Sequence, residues 1–198
     1  MRTDQRSSVL VVSQTDKAHN FITGILPPEQ FEPVDAVHSA GEAKRLLINK
    51  PYDIVVINTP LKDDFGADLA IQITEDYNLG VLMMIKADHY DQVTDHVEDY
   101  GILTLSRPCT DHDIFQSLKL LAATRKRLRA MEEKTVRLEQ KMKEIRLINR
   151  AKGILMERQH MTEAEAHRYL EKAAMDNCVK KADIAQNLIR NADPFAAG

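Results

Sequence analysis

The hydrophobic pattern of the chain changes its period near the middle. Over the first half, short apolar runs recur at residues 8–13 (SVLVVS), 31–37, 53–58 (DIVVIN), 81–85 (VLMMI) and 102–105 (ILTL). Runs this continuous and rich in β-branched residues predict strands covered on both faces. Residues 16–26, 43–50, 67–77 and 91–99 lie between them and read as helices, the first ended by Pro27-Pro28 and the second stopping before Pro51. Ser39/Glu42, Thr110/Asp113 and Thr162/Glu165 stand at capping-box spacing, each marking a helix start. Strands alternating with helices predict an α/β domain over residues 1–117, a five-stranded parallel sheet wound on both faces. In such sheets function gathers beyond the carboxyl ends of the strands, which here carry Ser13, Gln14, Asn58, Ile85, Lys86 and Arg107.

From residue 118 to 158 the period becomes seven. Leu121, Leu128, Thr135, Met142 and Asn149 fall on one heptad position, and Thr124, Met131, Leu138 and Ile145 on the other. The stretch has no Pro and only Gly153, so one long helix is expected. So narrow an apolar seam pairs with another helix, and residues 118–145 read as a parallel coiled coil that makes a homodimer. Leu121, Leu128, Met131, Leu138, Met142 and Ile145 are the expected contacts, with Arg127 facing Glu132 and Lys134 facing Glu139 across the pair. Lys141 against Arg146 breaks that run. Packing of the seam within one chain is the alternative.

Residues 146–198 contain the end of the long helix, a second helix to about residue 176, and a third, KADIAQNLIRN. Together they predict a three-helix bundle, with Ala151, Ile154, Leu155, Ala166, Tyr169, Leu170, Ala173, Ala174, Ile184, Ala185, Leu188 and Ile189 inside. Small residues at Ala151 and Gly153 would let its helices approach closely.

Charge sharpens this picture. The net charge of −3 hides 9 basic against 19 acidic residues over positions 1–117, then 13 against 5 over positions 118–158. A basic helix after an acidic domain points to a polyanion met by the helix, although coiled coils are also charged for solubility alone. No phosphate-cradling glycine loop, metal-ligand spacing or nucleophile with a base is evident, so no enzyme, cofactor or metal is expected. His89, His96 and His112 read as solvent-facing, and His160 and His167 as candidate contacts to such a polyanion. Two isolated cysteines, apolar runs too short for a bilayer and no visible signal peptide fit a reducing cytoplasm and no membrane.

Two resemblances follow from particular residues. Five strands with Asn58 ending the third, Pro60 in the next turn, Gly66 eight residues after Asn58, and Arg107-Pro108 after the fifth resemble a response-regulator receiver domain. That family implies two acidic residues where Ser13 and Gln14 stand, a phosphate-accepting Asp at Asn58, Ser or Thr at Ile85, and Lys at Arg107. Asn58 cannot form an acyl phosphate, and Mg²⁺ lacks its carboxylates after strand one. Asp63 and Asp64 in the turn are a candidate cation pair, or plain solvated residues.

The run Ile148-Asn149-Arg150-Ala151-Lys152-Gly153-Ile154-Leu155-Met156, then TEAEAHRYL from Thr162, Ala174-Met175 and Asp183-Ile184-Ala185, resembles the ANTAR domain. That family implies an RNA-binding three-helix bundle acting in transcription antitermination, through hairpins in leader mRNA. A pseudo-receiver, coiled coil and ANTAR in series resemble its response-regulator-like antiterminators, controlled by a regulatory protein partner that senses a ligand. Lys152, which the motif includes, leads the expected RNA contacts, with Arg150, Arg146, Arg158, Arg168, Lys172, Lys180 and Lys181. A DNA-binding regulator and a protein-interaction adaptor are the alternatives. The third helix has few side chains expected to read base edges.

Overall fold

The computed structural model describes residues 6–192. The elements in chain order are β1 (Ser7–Ser13), α1 (Asp16–Ile25), β2 (Phe31–Val37), α2 (Ala40–Asn49), β3 (Ile54–Asn58), α3 (Ala67–Tyr77), β4 (Gly80–Lys86), α4 (Tyr90–Val97), β5 (Leu103–Arg107), α5 (Asp111–Gln159), α6 (Glu163–Asp176) and α7 (Lys181–Ala192). They divide into two compact units, Met1–Arg129 and Ala130–Gly198.

In the first unit all strand pairs are parallel, in the order β2-β1-β3-β4-β5. The alternation of side chains along each strand sorts the core into two layers. Leu10, Val12, Val55, Ile57, Val81, Met83 and Ile85 pack under α2, α3 and α4. Val9, Val11, Ile54, Val56, Leu82 and Met84 meet Ile22 of α1 and Ile114, Leu118 and Leu121 of α5. This is the doubly wound α/β fold that the apolar runs predict. Gly66 permits the turn after β3: its φ is +107°, and a Cβ there would lie 2.8 Å from Ile57 Cγ2.

Helix α5 runs unbroken for 49 residues. Its first part belongs to the sheet's core rather than to a seam. Leu118 is fully buried and Leu121 is 8% exposed, so Leu121 is removed from the expected dimer contacts. The first unit accordingly extends past residue 117, the boundary expected from sequence. Heptad spacing alone cannot distinguish a residue facing its own sheet from one facing a second helix.

In the second unit, Ala151 and Leu155 of α5, Ala166, Leu170 and Ala174 of α6, and Ala185 and Ile189 of α7 make the buried centre. Leu147, Ile148, Ile154, Met161, Ile184 and Leu188 pack around it. Thr162 and Glu165 complete the reciprocal capping box at the start of α6. Ser39 caps α2 as expected, but Glu42 reaches one residue further back, to the His38 amide. Two core expectations fail. Tyr169 is 41% exposed, because Ala166, Leu170 and Ala174 at i, i+4 and i+8 centre the buried stripe and turn Tyr169 off it. Ala173 is only partly covered. A Cβ at Gly153 would meet nothing within 4 Å, so close helix approach does not account for that glycine.

Candidate functional site

At the carboxyl end of the sheet, Asn58 donates from Nδ2 to Ser13 Oγ at 2.8 Å across the β1–β3 pair. Ser13 is fully buried and Gln14 is exposed. The Asn58 Oδ1 is buried with no hydrogen-bond partner among the described residues, a condition that costs an amide oxygen about 1–3 kcal/mol. Ile85 is fully buried, offering no hydroxyl to this end of the sheet. Arg107 donates from Nη2 to the Thr59 carbonyl, and burial holds its pKa below the usual guanidinium value. Thr59 in turn donates to Met84 O at 3.0 Å. Of the five residues that a receiver would devote to phosphoryl chemistry, Ser13 and Asn58 form a neutral amide–hydroxyl pair, Ile85 an apolar plug and Arg107 a cation spent on a backbone carbonyl, while Gln14 is exposed. None supplies a carboxylate nucleophile or an oxyanion ligand set for Mg²⁺.

The nearby acids have other duties. Asp63 accepts from the Ala40 amide at 2.8 Å and the Gly41 amide at 3.0 Å, the free N–H groups that open α2. Asp64 accepts from Gly66 N at 2.6 Å. Both carboxylates accept from backbone amides, and Asp63 remains exposed to solvent as well. Asp53 lies at the other end of β3 and accepts from Ser8 N and Oγ at 2.8 and 2.9 Å.

The Gly41 amide, then that of Ala40, lowers the Asp63 pKa below its ordinary value. A carboxylate depressed in the folded state stabilises fully above its unfolded pKa, about 3.9, and loses that contribution as pH falls through the folded value. Asp63→Asn, a neutral isostere, is therefore less stable than the parent at pH 7. The difference in melting temperature closes as the pH is taken below about 3.9. A gap that stays constant with pH contradicts the assignment.

The expected RNA-facing cations separate into two groups. Lys152 is largely buried (15% side-chain exposure) and joins Glu163 Oε1 at 2.9 Å, tying α5 to the first turn of α6. Glu163 is held below its ordinary pKa by that ammonium. Lys181 joins Glu171 at 2.8 Å, and His167 reaches the same carboxylate at 3.2 Å. Arg158 donates to Ala192 O at 2.7 Å, at the end of α7. Each of these three cations bridges two helices of the bundle. Arg146, Arg150, Arg168, Lys172 and Lys180 are exposed. His160 is exposed as well, at the break between α5 and α6. Tyr169, set aside by sequence as core, stands between Arg168 and Leu170 with its ring partly open to solvent. Its position beside a buried i, i+4 stripe was the available signal.

Along α5, Leu128, Met131, Leu138, Met142 and Ile145 are all exposed, between 41% and 56%. The stripe is thus not consumed by packing within its own chain. A further cluster went unnoticed in sequence because its members come from two segments. Asp16 and His19 of α1 and His38, which follows β2, bring one ligand atom each within 4.8 Å of one another.

Comparison with known proteins agrees with this division. Residues 136–189 match the ANTAR domain. The chain is 24% identical over 164 residues to the transcriptional regulatory protein PdtaR of Mycobacterium tuberculosis, covering 82% of this chain and 79% of that one. It is 26% identical over 170 residues to the aliphatic amidase regulator of Pseudomonas aeruginosa, covering 83% and 76%. The fold is similar to the signal receiver domain of an HD domain-containing protein from Pseudomonas fluorescens, with a TM-score of 0.57 at 18% identity over 63% of this chain and 93% of that one. Among the described residues no helix is long and apolar enough to cross a membrane. Residues 136–189 thus match an ANTAR domain, and they follow a domain with the receiver fold.

Proposed function

We propose that the protein is a homodimeric RNA-binding antitermination regulator, a binding protein rather than a catalyst. The ANTAR match over residues 136–189 carries this reading. The exposed cations Arg146, Arg150, Arg168, Lys172 and Lys180 support it, since phosphate neutralisation is the general source of affinity for nucleic acids. The bundle grips hairpins in a nascent leader transcript and favours a structure that excludes the terminator. Pairing through α5 brings two bundles to one transcript and raises the effective concentration of the second binding event. Control comes from a partner protein that senses a ligand in the cytoplasm, because Asn58 gives a phosphodonor no carboxylate to attack.

A DNA-binding reading keeps a specific observation in its favour. Gln186, Asn187 and Arg190 are exposed on α7, and Gln, Asn and Arg are the side chains that pair with adenine and guanine edges. Competition between a leader hairpin RNA and duplex DNA for the full chain separates the two. RNA displacing DNA at equal nucleotide concentration is the expected outcome, and DNA displacing RNA assigns the protein to duplex recognition.

A further inference from the structure

The Asp16–His19–His38 cluster lies at the same end of the sheet as Ser13 and Asn58, and none of its residues takes part in that site. His19 is 6% exposed, and its Nε2 is 2.9 Å from the Val37 carbonyl oxygen. A carbonyl only accepts, so Nε2 carries the hydrogen and Nδ1 of the neutral ring presents its lone pair. His19 Nδ1 lies 4.0 Å from Asp16 Oδ1, and His38 Nε2 lies 3.5 Å from the same oxygen. Both spacings are wider than a good hydrogen bond. They are close to the separation of about 3.4 Å between two ligands that share a tetrahedral ion at bonds of about 2.0–2.1 Å.

We propose that Asp16, His19 and His38 form a binding site for a zinc-type divalent ion. Two imidazole nitrogens and one carboxylate suit Zn²⁺, Ni²⁺, Co²⁺ or Cu²⁺ and exclude Mg²⁺ and Ca²⁺ as preferred ions. The Val37 carbonyl supplies the outer partner that fixes a metal-ligating histidine in one tautomer and orientation. Asp16 and His19 are one helical turn apart at the start of α1, and His38 follows the neighbouring strand β2. An ion there cross-links the β1–α1 and β2–α2 connections. Asp16 is 86% exposed, which leaves the fourth position open to water or to a ligand from a partner. The site is a metal input to a domain that has lost its phosphoryl input.

The test is isothermal titration of Zn²⁺ into the full chain, free of any histidine tag and stripped beforehand with chelator. One equivalent binds per chain. His38→Gln and Asp16→Asn each weaken binding at least tenfold, while His112→Gln and Cys178→Ser bind as the parent does. His38 and Asp16 are not core residues, so melting curves without metal match the parent and exclude misfolding as the cause. Proton NMR shows the His19 and His38 ring signals, and no other histidine's, moving on Zn²⁺ addition. Heats indistinguishable from dilution, unchanged binding by His38→Gln, or equal affinity for Mg²⁺ overturns the assignment.

Discussion

Leu138→Lys together with Met142→Lys converts the protein from dimer to monomer and weakens self-association at least a hundredfold. The seam residues Leu128, Met131, Leu138, Met142 and Ile145 are exposed along α5 in the single chain. Full burial of a Leu or Met side chain contributes about 1.5–3 kcal/mol, and the change acts twice in a two-fold pair. The lysines also add four cations to one desolvated seam, where like charges repel. Neither side chain packs in its own chain, so the fold of each unit is unaffected. Sedimentation equilibrium over a concentration series reads the result, with far-ultraviolet circular dichroism as the check on folding. Leu121→Lys, by contrast, damages the sheet's core, since Leu121 is buried with Ile114 and Leu118. An undiminished dimer in the double variant places the interface elsewhere.

Arg146→Ala with Arg150→Ala lowers affinity for leader hairpin RNA about tenfold to a hundredfold near physiological salt, by removing two phosphate contacts. The two residues are four apart on one helical face and both are exposed. The slope of log affinity against log salt falls by about 1.4–1.8, at about 0.7–0.9 per phosphate released. Lys152→Met is the informative companion. Lys152 is engaged with Glu163, so its loss lowers the melting temperature of the bundle and leaves the salt slope unchanged. A salt slope that drops with Lys152→Met and not with the arginine pair reverses these roles. Because Arg146 also flanks the seam, the oligomeric state is measured alongside.

The sequence made the sheet legible because parallel strands covered on both faces must be apolar throughout, and few other local structures require that. The departures from a receiver's acidic site were equally legible, since Ser13, Asn58 and Ile85 carry no carboxylate whatever their geometry. What a periodic pattern does not contain is the identity of the partner surface. Leu121 and Leu128 share a heptad position, yet one faces the sheet and the other solvent. Lys152 carries the same charge as Arg150, and only the fold shows that Glu163, across the break between α5 and α6, already holds it. The Asp16–His19 pair was visible as an i, i+3 spacing on α1. His38 joins it only because β1 and β2 lie side by side.

Single-round transcription through a leader terminator, with the purified full chain added in increasing amounts, tests the central claim most directly. The protein raises the fraction of full-length transcript in a dose-dependent way. A phosphodonor neither enhances nor abolishes that read-through, and mass spectrometry finds no phosphorylated aspartate at positions 53, 63 or 64. Read-through unchanged at saturating protein, or dependent on a phosphorylated aspartate, contradicts the account.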